Sequence, residues 1–109
     1  MLWNELETAG WGRALRARER VARPERAAAL AGILAQTPCP AIGNRRSYGD
    51  AALNGGGGAS LRMTRLDRLL AFDPGTGLLE VEAGATLGEI ARLFAPRGWL
   101  PPVMPGTAF

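Results

Sequence analysis

The clearest periodic signal runs from Pro24 to Gln36. Ala27, Leu30, Ile33 and Leu34 recur there at helical spacing among strong helix formers. Pro24 suits the first turn, and Thr37-Pro38-Cys39-Pro40 ends the run because a residue before proline avoids the α region. Ala41-Ile42-Gly43 reads as a short buried strand entering a loop, and Ala59 to Met63 alternates weakly, as a strand does. Leu69 to Phe72 and Leu78 to Glu82 are predicted strands, joined into a hairpin by Asp73-Pro74-Gly75-Thr76-Gly77. Thr86-Leu87-Gly88-Glu89 matches a capping box. The helix it opens places Leu87, Ile90, Ala91, Leu93 and Phe94 on one face and stops at Pro96 to Gly98. Trp99-Leu100 follows as a short extended piece and residues 101–106 as a stiff tail. Ahead of the first helix, Leu2-Trp3-Asn4 is a short apolar start and Gly10-Trp11-Gly12 a turn. The order helix, strand, Gly-rich loop, hairpin, helix, strand predicts an α+β or α/β unit with no internal repeat.

Charge sharpens one segment. Arg13, Arg16, Arg18, Arg20, Arg23 and Arg26 stand against Glu19 and Glu25, which reads first as a solvated loop or helix face. A patch for an acidic partner or nucleic acid is the rival reading, without support for base stacking, since no aromatic is interleaved among these arginines. Every basic residue is Arg, consistent with a GC-rich background. With no His and no Lys, the chain alone supplies no Ser-His-Asp triad, no His-ligated zinc and no complete P-loop. The lone Cys39 excludes an internal disulfide. With no 18-residue apolar run and no basic-then-apolar start, the expected location is cytoplasmic.

The unusual segment is GNRRSYGDAALNGGGG, residues 43–58. Gly43 and Gly49 can take positive φ cheaply, which lets the backbone curl with its N–H groups inward as an anion-binding nest. Arg45, Arg46 and Ser47 add charged and hydroxyl donors. Such a loop after a short strand suits a pyrophosphate; the competing reading is a surface turn with solvated arginines. The Gly55–Gly58 run is either a linker or a place of close backbone approach to a ligand. A GxGxxG opening a helix is absent, which argues against an ordinary Rossmann unit.

Arg46-Ser47-Tyr48-Gly49-Asp50 followed by Asn54-Gly55-Gly56-Gly57 resembles the flavin-binding loop of the vanillyl-alcohol-oxidase-type (PCMH-type) FAD-linked oxidoreductases. The resemblance is closest to the decaprenylphosphoryl-ribose oxidase-like branch, with its aldonolactone and alditol oxidase relatives. Gly10-Trp11-Gly12-Arg13, the step Glu82-Ala83-Gly84-Ala85-Thr86-Leu87 and Met104-Pro105-Gly106-Thr107 resemble further stretches of that family, in the same order. The resemblance implies an α+β fold, the N-terminal part of a PCMH-type FAD-binding domain with a small mixed sheet and flanking helices. It implies that Ala41, Ile42, Gly43, Asn44, Arg45, Arg46, Ser47, Tyr48, Gly49, Asp50 and Ala51 wrap the FAD pyrophosphate, mostly through backbone. Tyr48 would lie toward the flavin and substrate pocket, a packed loop aromatic being the alternative, and Gly106 would approach the flavin. Relatives with covalent flavin carry His where Arg46 stands, so the cofactor implied is non-covalent FAD. One departure is Arg45, where the family usually has Gly. A side chain there either crowds the phosphates and alters φ or contacts a phosphate itself.

The expected organisation is an N-terminal arm over 1–23 and a partial FAD-binding domain over 24–109, truncated at its C-terminus. The function expected by resemblance is the FAD-binding portion of an oxidoreductase that oxidises a sugar or sugar-alcohol hydroxyl by hydride transfer to FAD. No catalytic acid or base and no metal ligand is assigned, and the chain is expected to be inactive alone. The implied partner is FAD, with a sugar-type substrate in the full-length relative, no nucleic acid, no membrane span, and self-association through an unfinished sheet. The alternatives are a small Arg-rich binding module and a degenerate remnant.

Overall fold

The Arg-rich stretch is a strand. β1 (Asn4–Ala9) and β2 (Arg16–Ala22) pair antiparallel, with Glu5 opposite Arg20 and Glu7 opposite Arg18. Side chains alternate across a strand, so Arg16, Arg18 and Arg20 share an exposed face while Glu19 and Val21 turn inward. The arginines meet acids and an aromatic on that outer face: Arg16 lies 2.9 Å from Glu7, Arg18 3.9 Å from Glu5, and the Arg20 guanidinium 5.6 Å from the Trp3 ring centre. The expected loop or helix face is therefore corrected to a sheet strand. Its period is two, and cross-strand pairing of opposite charges stabilises it.

This computed structural model describes residues 3–10, 15–46, 51–55 and 57–103. The chain divides into two compact units, Met1–Arg65 and Leu66–Phe109. In the first unit, β3 (Ala41–Ile42) and β4 (Ala59–Arg62) complete a four-stranded mixed sheet in the order β1-β2-β4-β3. β4 runs parallel to both neighbours, with Ala22 and Ala41 aligned on Leu61. Its Ala59, Ser60 and Leu61 are all buried, as expected of a central parallel strand. β3 is an edge strand with Ala41 exposed and Ile42 half-buried, so the buried strand expected at this point is corrected. The first helix begins as a 3-10 turn at Ala27–Ala29 and continues as α1 (Leu30–Gln36), where Ile33 is buried and Leu34 is 39% exposed.

In the second unit, β5 (Leu69–Asp73) and β6 (Leu78–Val81) form the expected hairpin. Its turn is local chemistry. The Asp73 carboxylate accepts from the Gly75 N–H at 2.8 Å, and the Asp73 carbonyl from the Gly77 N–H at 2.8 Å, with Gly77 at φ 77°. Thr86 caps α2 (Leu87–Phe94), its hydroxyl accepting from the Glu89 N–H at 3.1 Å. Ile90, Ala91 and Phe94 are half-buried but Leu93 is 45% exposed, so the apolar face is narrower than its sequence suggests. Phe72 packs on Phe94 (4.8 Å between ring centres) and on Trp99 (5.3 Å), tying hairpin to helix. Trp99-Leu100 forms no strand. The strand-to-helix step is held by Glu82, which is buried and accepts from the Arg68 N–H at 3.0 Å, while the Gly84 N–H donates to the Leu66 carbonyl at 2.7 Å. The mixed sheet and two α-helices make the fold α+β, as the sequence led us to expect.

Candidate functional site

The parallel strands β2, β4 and β3 end together. Arg23 follows β2, Arg62 closes β4 opposite Ile42, and Gly43 follows β3. The carboxyl ends of parallel strands are where open sheets commonly receive ligands, because the loops there diverge and leave a crevice. The segment Gly43 to Arg46 begins at this edge. A Cβ built on Gly43 meets no atom within 4 Å, so the backbone is open to close approach. The positive φ expected at Gly43 is absent, a correction to that reading; the left-handed residue here is Arg45, at φ 57°.

The Arg45 guanidinium turns inward rather than toward solvent. It donates to the Ala52 carbonyl and lies 3.4 Å from Glu19 Oε2, with its side chain only 13% exposed. Glu19 itself is fully buried and accepts from the Thr8 hydroxyl and the Asn54 N–H as well. Asn54 in turn donates through its amide to the Ala59 carbonyl at 2.7 Å, at the entrance to β4. A buried carboxylate is strongly disfavoured unless its lone pairs are met, and here hydroxyl, backbone and guanidinium donors meet them. The Gly-rich run is fixed from the other side: the Arg20 N–H donates to the Gly58 carbonyl at 2.9 Å. Arg45 is thus built into the loop's own framework; Asn54 belongs to the motif that carries the resemblance, while Glu19, Thr8 and Ala52 are structural partners that the sequence did not single out. The signal for Glu19 was present in the alternation of Arg16, Arg18 and Arg20, which leaves residue 19 facing inward.

The cationic groups at the strand ends differ from Arg45. Arg46 is exposed and donates to the Asn44 carbonyl at 3.1 Å. Arg62 Nε is buried and has no hydrogen-bond partner among the described residues. Arg23 reaches Thr64 at 3.4 Å, and its pKa is lowered by partial desolvation and by the like charges of Arg65 and Arg62. Open backbone at Gly43 and guanidinium donors at the strand ends form a donor set that fits a phosphate-bearing group. Of the expected binding residues, Ala41, Ile42, Gly43, Asn44, Arg45 and Arg46 lie together on this edge and loop, and Ala51 adjoins Ala52. Ser47, Tyr48, Gly49, Asp50 and Gly106 lie outside the described residues. Cys39 is half-buried and free; burial pushes its thiol pKa up, against a smaller downward pull from Arg20. No helix among the described residues is long and apolar enough to cross a membrane.

Comparison with known proteins identifies the domain family. Residues 19–109 match the family model described as FAD binding domain. Over 67 residues, 62% of this chain, the sequence is 45% identical to decaprenylphosphoryl-beta-D-ribose oxidase of Mycolicibacterium smegmatis. The aligned region spans 14% of that enzyme's length.

Proposed function

The chain belongs to the FAD binding domain family, and from that premise we propose that residues 41–51 cradle the FAD pyrophosphate of a flavin oxidoreductase acting on a sugar or sugar-alcohol hydroxyl. The observation that carries the proposal is the common ending of β2, β4 and β3, where the loop from Gly43 starts beside Arg62 and Arg46. A pyrophosphate presents only acceptors, and backbone N–H groups and guanidinium groups supply donors to them. Gly43 lets the backbone close on it, and Arg46 and Arg62 offset its charge. When bound, the flavin supplies the hydride-accepting chemistry, while the protein supplies position and electrostatics.

The attachment is non-covalent: Arg46 stands where covalently flavinylated relatives carry His, and the chain has none. The substrate class rests on the likeness to decaprenylphosphoryl-beta-D-ribose oxidase. Amide hydrogen exchange with and without FAD tests the assignment. Slowed exchange concentrated in residues 41–51, with all flavin released on acid denaturation, is the expected result. Protection elsewhere, or flavin retained by the denatured chain, would contradict it.

A further inference from the structure

We propose that Glu19 is the positioning residue of the phosphate-binding loop, acting through Arg45 to hold a left-handed turn that a glycine would otherwise make. The turn is real and unusual. Arg45 is the one non-glycine residue with positive φ among the described residues. For a residue with a side chain that conformation is disfavoured and persists only where surrounding contacts determine it. Two contacts hold the Arg45 side chain here. Glu19 Oε2 stands 3.4 Å from an Arg45 nitrogen, and the other guanidinium nitrogen donates to the Ala52 carbonyl. One carboxylate also takes the Thr8 hydroxyl from β1 and the Asn54 N–H from the start of the Gly-rich run. Glu19, itself in β2, therefore links the edge strand β1 and both ends of the loop to the sheet through three groups.

The arrangement assigns Arg45 a role opposite to the one its charge suggests. Its guanidinium is held inside the loop, neutralised by Glu19, so it contributes no charge to a phosphate. The loop's anion affinity then comes from backbone, Arg46 and Arg62, and Glu19 acts on it only by fixing shape. The inference rests on the flavin reading for its ligand, and on the geometry alone for the coupling of the two residues.

The test is a cycle of Glu19→Gln, Arg45→Gly and the double variant in the whole chain. It is read by amide exchange over 43–46 and 51–55, by FAD titration, and by circular dichroism as a check of folding. Glu19→Gln strands the Arg45 guanidinium beside a neutral partner, and exchange is expected to quicken by about tenfold or more, with a comparable loss of FAD affinity. Adding Arg45→Gly removes both the stranded charge and the strained φ, so the double variant is expected to recover most of the loss. Losses that simply multiply in the double variant would overturn the proposal. If Glu19→Gln does not fold, Arg45→Ala and Arg45→Gly decide the matter in the native Glu19 background. Ala is expected to exchange about tenfold faster than Gly, and equal rates would overturn it. Coupling in exchange without FAD binding by the native chain would keep the pair and reject the flavin reading. FAD binding with multiplicative losses would do the reverse.

Discussion

Gly58 is the residue at which the loop leaves least room. A Cβ there would lie 2.6 Å from the Asn54 carbonyl oxygen and 2.7 Å from the Asn54 side chain. Asn54 is fixed at both ends, by Glu19 and by Ala59, so it has little freedom to withdraw. Gly58→Ala is expected to destabilise the chain by about 1–3 kcal/mol through this overpacking. Urea denaturation followed by circular dichroism measures it, and an unchanged midpoint would show that Asn54 moves freely. Gly57 has nothing within 4 Å of a built Cβ, yet its φ of 77° restricts the position to residues that tolerate left-handed backbone. Arg45 shows why residue type alone misleads. Two adjacent arginines in a loop read alike, but one is bound inward by a partner 26 positions earlier and the other faces solvent. That difference depends on a long-range contact, which no local pattern encodes.

The elements that were legible in the sequence are those whose signals are local. The Asp73–Gly77 turn, the Thr86 cap and the Pro96–Gly98 stop each act within a few residues, and each is found where its chemistry places it. Gly98 ends the second helix region in the left-handed conformation, as helix ends commonly do. β1 and β2 were not legible, because their inward positions carry Ala17 and Glu19 beside Val21 rather than an unbroken apolar row. Charge hid a period of two. The edge placement of β3 was equally hidden, since Ala41 and Ile42 are apolar whether they lie at the centre or the rim. The hairpin gives a sharp test at this scale. A Cβ on Gly77 would come within 2.8 Å of the Trp99 ring, and its φ is 77°. Gly77→Ala is therefore expected to displace Trp99 from Phe72 and cost about 1–3 kcal/mol. Trp fluorescence and thermal melting read both effects, and a native emission spectrum with an unchanged melting point would contradict the packing described.

At the scale of the whole molecule, the mixed sheet explains why the candidate loop lies where it does. Three strands run parallel, so three strand ends open on one edge, and the segment from Gly43 crosses back from that edge to the start of β4. The outer face of β2 is covered by acid–base and cation–π pairs with β1 and Trp3, which accounts for much of the Arg-rich stretch without an external partner. Such exposed pairs each contribute at most about 1 kcal/mol, so they set register more than stability. The aligned region spans 14% of decaprenylphosphoryl-beta-D-ribose oxidase, so flavin-binding capacity is the property to measure before any turnover. The most direct measurement is a fluorescence titration of the chain with FAD, with FMN titrated in parallel and circular dichroism confirming the fold. Saturable binding of FAD, much tighter than FMN because only FAD carries the pyrophosphate, is the expected result. A folded chain that binds neither flavin, or that binds both equally and releases them steeply as salt rises, would contradict the assignment of residues 41–51 as a pyrophosphate cradle.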